Sequence, residues 1–367
     1  MAKQYRVAVI GSTGRGDYGH GIDTVWKEIP VAEVVAVADA NEPGRAAAMT
    51  KTGAKQAYAD YREMLDKEKP DIVAVGPRWI DQHHAMLTAC IERGCHVYME
   101  KPFCRTLEEA DDIVRLTEMT HAKLAIAHQT RYSPAITAVQ RVIADGLLGT
   151  VLELRGRGKE DARGGPEDLW VLGSHVMNLM RTFAGEPAWC FGSVTQQGRP
   201  ITKADIVEGK EGLGPLAGDA VQAMYQFKSG PTGYFGTRRS QGGAPSRFGL
   251  QIYGSKGVLE ILPGFGEAVN FLADPGWSPG RSSKAWMPVS SAGVGKPEPV
   301  KGRGLHDGNV AAVTDLIAAI EGNRAPLCGP NDARATIEMI LAPFESQRLG
   351  KPVALPLENR KHPLTLL

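Results

Sequence analysis

No uninterrupted apolar stretch in this sequence approaches the roughly 20 residues needed to cross a bilayer. A surplus of one charge sign is also missing. The 42 basic and 41 acidic residues leave a formal charge of +1, with no basic run, which excludes a nucleic-acid arm or a lipid-binding tail. Cysteine is scarce: Cys90, Cys95, Cys104, Cys190 and Cys328 are odd in number and form no C-x-x-C pair, so reduced thiols and a cytoplasmic setting are expected. The opening MAKQYRVAVIG carries no apolar signal core, which points the same way. His83 and His84 stand side by side without an H-x-x-x-H spacing, so no metal site is expected.

What is present is length and alternation. A chain of 367 residues exceeds the roughly 250–300 at which a single core stops growing, so two domains are expected. Apolar runs at 6–11, 34–38, 71–75, 95–99 and 123–127 alternate with helical patterns at 45–52 and 84–93, and with one opened by Thr106 with Glu109 three residues on. Between the first two runs, Ile22, Val25, Trp26 and Ile29 mark one face of an expected helix. Such alternation predicts a doubly wound parallel sheet. From about residue 150 the texture shifts to strand-like runs at 151–155, 188–195, 220–227, 233–237, 248–253 and 258–262. These predict an antiparallel sheet, with helices at 172–183 and 310–321 and long loops over 198–218 and 275–304. The expected division is 1–128 and 129–367.

The first run ends in GSTGRGDYGHG. Glycines between a strand and a helix let backbone N–H groups reach a pyrophosphate, and the helix N-terminus adds a favourable field. The spacing is irregular: Gly11, Gly14 and Gly16 are present, but Thr13 stands where the usual fingerprint has glycine. Asp39 closes the second run, where a carboxylate can accept ribose hydroxyls and repel a 2′-phosphate, favouring NAD over NADP. A turn with a capping aspartate is the plainer account of both features. Arg45 is close enough in sequence to receive a phosphate.

The fifth run ends in EKP. In a doubly wound sheet ligands sit beyond the carboxyl ends of strands, and the proline after Lys101 restricts the lysine's backbone. An ammonium held there can stabilise an alkoxide as hydride leaves. On these residues alone, a salt bridge at a strand end explains the lysine equally well.

GSTGRG, Asp39, HHAMLTACIERGCHVYMEKP, Arg131 in HQTRYSP and GSHVMNLM together resemble the glucose–fructose oxidoreductase / inositol dehydrogenase (Gfo/Idh/MocA) family. The resemblance implies an α/β protein, in which an N-terminal Rossmann domain binds NAD(P) and a C-terminal α+β domain holds an open, mostly antiparallel sheet. It implies oxidation or reduction of a sugar or polyol by a dimer or tetramer. It makes Lys101 catalytic, puts Glu100 near the nicotinamide ribose, maps His83 ahead of the third helix, and puts Gln129 where relatives have asparagine. The cofactor set so expected is Gly11, Ser12, Thr13, Gly14, Arg15, Gly16, Asp39, Arg78, His83, Glu100 and Gln129.

Relatives carry an aspartate four residues before a catalytic histidine. Here the histidine is His175, the aspartate position holds Val171, and Asn178 stands where a second aspartate is common. Asp161, Glu167 or Asp168 could orient His175 instead. Arg131, Lys159, Arg163, Trp170 and Asn178 are the expected substrate contacts, although a solvated charged loop accounts as well for the residues near 160. His306 could reach the site from a later helix. The expected activity is an NAD-dependent dehydrogenase of sugars, polyols or glycosides. Its rivals are an NAD-dependent glycosidase or lyase working through transient oxidation, and a non-catalytic NAD-binding regulator.

Overall fold

Short runs of Val, Ile and Ala, apolar on both sides, can only be satisfied in the middle of a covered sheet, and they form one. The computed structural model describes residues 3–263, 268–301 and 304–367. Within it, β1 (Tyr5–Ile10), β2 (Ala32–Ala38), β3 (Gln56–Tyr58), β4 (Ile72–Val75), β5 (His96–Met99) and β6 (Leu124–Ile126) make a six-stranded sheet ordered β3-β2-β1-β4-β5-β6. All of its pairings are parallel. The four residues of β4 are fully buried, and each Val or Ile so placed contributes about 1.5–3 kcal/mol.

The helices begin where short polar side chains cap them. Asn41 accepts from Gly44 N at the start of α1 (Glu42–Thr52), and Asp60 from Arg62 N at α2 (Tyr61–Glu68). After α3 (His83–Glu92), Thr106 accepts from Glu109 N to open α4 (Leu107–Thr120). The Glu109 side chain reaches back to Arg105 N, one residue short of the expected reciprocal box.

The helix expected after the glycine loop does not form. Turns run from Thr13 to Thr24, followed by only a four-residue 3-10 stretch, Val25–Glu28. Gly14, Asp17, Gly16, Gly19 and Gly21 all have positive φ, a conformation that no right-handed helix admits. The apolar pattern is still used, since Ile22, Val25, Trp26 and Ile29 are buried.

The chain divides into two compact units. The first holds 1–129, 210–214 and 306–337; the second holds 130–209, 215–305 and 338–367. The second is built on an eleven-stranded sheet. There β7 (Val151–Arg157) runs parallel to Thr232–Arg238 and antiparallel to Gly249–Gly254, and the other pairings are antiparallel. Helix Ser174–Ala184 lies tight on β7: a Cβ added at Gly156 would stand 2.4 Å from a Val176 methyl. Among the elements not anticipated are β3, the strand Ala268–Leu272 and three helices: α2, α5 (Pro134–Ala144) and the twenty-residue Pro330–Leu349, which carries Pro343 inside it. The expected loops carry only short strands, turns and helical stretches of three or four residues among the described residues, and residues 302 and 303 lie outside these. Among the described residues no helix is long and apolar enough to cross a membrane, and no group of three or more metal-binding side chains forms.

Candidate active site

The carboxyl end of β5 delivers Glu100 and Lys101 in succession. Glu100 is fully buried and Lys101 is 6% exposed, so this is no surface salt bridge. Glu100 Oε1 accepts from His20 N (2.8 Å) and from His20 Nδ1 (2.6 Å), and Oε2 accepts from Lys101 N (3.0 Å). Burial pushes this carboxyl up, but the hydrogen bonds from the His20 ring and amide and the nearby Lys101 ammonium outweigh it and hold it below the usual range. Glu100, expected at a cofactor ribose, spends three of its acceptor sites on His20 and the Lys101 amide. The Lys101–Pro102 peptide is cis. His83 supports it from below. Its Nδ1 lies 2.8 Å from Pro102 O, its Nε2 2.7 Å from Pro77 O, and the ring is wholly buried. Neither nitrogen is left for a cofactor, so His83 fixes backbone on both sides of the strand ends.

The glycine loop is bonded largely to itself. Gly11 N donates to Ala38 O, Ser12 N and Asp17 N close a small bridge, and Arg15 N donates to Ser12 O. Gly14 N donates to Asp17 Oδ1. The loop also presses on β4's end: a Cβ at Gly16 would lie 2.3 Å from Arg78 N, which brings Gly16 and Arg78 together as expected of one site. Among the described residues, Gly16 N is the one amide of Gly11–Gly16 with no acceptor. The expected cradle of open amides and a helix N-terminus is therefore absent. Arg15 is held by Asp81 Oδ2 (2.5 Å) over the Trp79 ring. Asp39, 3% exposed, accepts from Thr13 N (3.0 Å) and Thr13 Oγ1 (2.7 Å) on Oδ2, and from Asn41 N (2.9 Å) on Oδ1. A carboxylate offers about four acceptor sites, so one remains on Oδ1 for a ribose hydroxyl. Arg45 is anchored on the Asp39 carbonyl (2.6 Å). The adenosine end thus fits a dinucleotide with a free 2′-hydroxyl.

Behind this surface lies a residue the sequence did not announce. Asn309, fully buried, accepts from Tyr98 Oη (2.7 Å) and Gln129 Nε2 (3.1 Å), and donates from Nδ2 to His20 O (2.8 Å). Gln129 is turned inward onto Asn309. His306, three residues earlier, pairs on the surface with Glu28 instead of entering a site.

In the second unit, His175 and Asn178 share one face of helix Ser174–Ala184. The preceding segment Leu169–Gly173, which carries Val171, is wound as a π turn, a form often found at functional sites. Asn178 is 1% exposed, and neither of its amide atoms has a hydrogen-bond partner among the described residues, which marks a place for a ligand. Arg131 donates to Thr182 Oγ1 on the same helix. Two of the carboxylates expected to replace the missing aspartate are committed elsewhere. Asp168 accepts from Thr237 Oγ1 (2.5 Å), Glu160 N and Lys159 N, and Asp161 pairs with Arg163 and Lys159. Burial raises the Asp168 carboxyl, with the bonds to Thr237 and the two amides opposing. Trp170, expected to offer a face to substrate, is wholly buried and stacked on His362 (centroids 6.4 Å apart), so it belongs to the core.

The model of an oxidoreductase family with an NAD-binding Rossmann fold matches residues 5–128, and that of the GFO/IDH/MocA C-terminal domain matches residues 136–260. A levoglucosan dehydrogenase from Pseudarthrobacter phenanthrenivorans is 26% identical over 259 residues, spanning 63% of this chain and 65% of that protein. Glycosyl hydrolase family 109 protein 4 from Phocaeicola vulgatus is 27% identical over 165 residues, spanning 42% of this chain and 31% of its own. Both alignments span less than two thirds of the relative. Among solved structures, levoglucosan dehydrogenase in complex with NADH matches with a TM-score of 0.78 at 20% identity, covering 97% of this chain and 100% of that one, a likeness of fold. With both halves of the pattern matched, this chain belongs to the GFO/IDH/MocA oxidoreductase family.

Proposed function

We propose that this protein is an NAD-dependent oxidoreductase acting on a hydroxyl-bearing carbon of a sugar, polyol or glycoside. The observation that carries the reading is Lys101: an ammonium-bearing side chain at the carboxyl end of β5, nearly buried, with its backbone fixed by a buried carboxylate. Bound NAD supplies a hydride acceptor. Asp39 binds its adenosine ribose, Lys101 donates a hydrogen bond to the reacting oxygen and stabilises negative charge there, and a histidine takes the proton, His175 being the one at the family position. Asn178 offers an unspent buried amide to a substrate hydroxyl, and Arg131, Lys159 and Arg163 are the further expected substrate contacts. The five cysteines, all buried and none in a disulfide, suit a reducing cytoplasm, and a homo-oligomer (dimer or tetramer) completes the reading.

Lys101→Ala should leave NAD affinity within about threefold and lower kcat at least about 100-fold, the scale of losing one charge-stabilising donor. Absorbance at 340 nm across a sugar and polyol panel reads this, and full turnover by the variant would remove the assignment. Val171 in the aspartate position, together with a relative named as a glycosyl hydrolase, favours one second reading: glycoside cleavage through transient oxidation. Release of an aryl aglycone without net NADH would select it.

A further inference from the structure

We propose that His20 is an oriented proton acceptor of this reaction, acting as a dyad with Glu100; the proposal rests on the hydride-transfer reading above. A histidine acts as a general base when a carboxylate holds one ring nitrogen as N–H and leaves the lone pair of the other facing the reactant. His20 has such a carboxylate. Nδ1 lies 2.6 Å from Glu100 Oε1, and that carboxylate is fully buried and kept ionised by its surroundings.

The ring is also fixed in place. The His20 N–H donates to the same Glu100 oxygen at 2.8 Å, and its carbonyl accepts from Asn309 Nδ2. Gly19 on one side (φ +65°) comes so close that a Cβ would stand 2.5 Å from Glu100 Cγ and Gly76 O, and Gly21 on the other side has φ +84°. Two left-handed glycines thus allow the chain to fold down onto Glu100, and the imidazole is what that turn delivers. The side chain is 34% exposed, and no group bonds Nε2 among the described residues. Through Glu100 the ring is one residue from Lys101, the group that would hold the same substrate oxygen.

The step balances. The hydroxyl proton passes to His20 Nε2, the carbinol carbon gives its hydride to NAD, and the carbon–oxygen bond becomes a carbonyl. NADH and imidazolium are formed, and the imidazolium returns its proton to water.

Two measurements test this. In ¹⁵N-histidine-labelled protein above neutral pH, long-range ¹H–¹⁵N spectra, assigned with His20→Gln, should show His20 as the Nδ1–H tautomer with or without NAD. An Nε2–H tautomer overturns the proposal whatever the turnover. In kinetics, His20→Gln should bind NAD within about threefold of wild type and lose a factor of about 10²–10⁴ in kcat. His20→Ala should regain activity with added imidazole, a rescue that a merely structural role does not give. A His20→Gln enzyme keeping more than a third of wild-type kcat, or one weakened tenfold in NAD affinity at unchanged kcat, rejects the base and leaves the dehydrogenase reading standing. A wild-type protein that reduces NAD with no sugar or polyol removes that reading and the base with it.

Discussion

Asn309→Ala is the perturbation that most directly tests how the N-terminal unit holds together. The wild-type side chain makes three hydrogen bonds, to Tyr98 Oη, Gln129 Nε2 and His20 O, and it is fully buried, as is Tyr98. Truncation strands the Tyr98 hydroxyl and the Gln129 amide away from water, while the His20 carbonyl, on a partly exposed loop, can recover a solvent partner. At about 1–3 kcal/mol for each stranded group and about 1 for the third bond, the loss is about 3–7 kcal/mol. Asn309 sits in the first turns of helix Leu305–Glu321, so alanine returns about 0.5 kcal/mol of helix propensity, too little to alter the outcome. Urea unfolding followed by tryptophan fluorescence is suited to this, since the Trp26 ring stands edge-on to Tyr98 with centroids 6.5 Å apart. Asn309→Asp sharpens the test. It keeps an acceptor for Tyr98 but sets an oxygen against His20 O, so it should be no more stable than the alanine variant near neutral pH. A loss below about 1 kcal/mol for alanine, or a wild-type midpoint for aspartate, would refute the hub role.

Trp170→Ala should cost about 3–5 kcal/mol of stability in denaturant unfolding, as for other fully buried aromatics; a raised sugar KM at unchanged stability would restore its expected place at the substrate. His362 is pushed down to about 4 by burial, from an ordinary 6.5. Between those values the unfolded chain holds a proton that the native chain does not, so stability rises with pH there. The contribution is complete above about pH 6.5 and is lost as pH falls toward 4, a span worth about 3 kcal/mol. His362→Asn, which keeps an acceptor for Leu364 N, should lose that acid dependence in urea unfolding from pH 7 to 4. An unchanged pH slope in the variant would show that other groups carry it.

The parallel sheet was legible because β1, β2, β4 and β5 are buried on both faces and so read as uninterrupted apolar runs. β3 and α2 were not, because three exposed or half-exposed residues and a charged helix carry little periodic signal. Helix Pro330–Leu349 escaped because Pro343 argues against a helix interior. The opposite error occurred after the glycine loop, where a true apolar periodicity met five positive-φ residues that override it. In the candidate site, Lys101 stood out in the sequence through its position at a strand end. His20 and Asn309 were not, because their meaning comes from contacts 80 and 211 residues away in sequence with Glu100 and Tyr98. The one local hint was the pair of glycines around His20. Trp170 was misjudged because an aromatic beside charged residues reads the same whether its ring faces inward or outward.

The first unit also carries a consequence for synthesis. Its sheet ends at β6, where Ile126 N donates to Cys328 O, and its interior is tied at Tyr98 to Asn309, so both ties rest on chain emerging from the ribosome some 200 residues later. A nascent N-terminal third therefore emerges with an unfinished edge and an unanswered tyrosine hydroxyl. The nucleotide-binding half, although first in line, would be among the last parts to close.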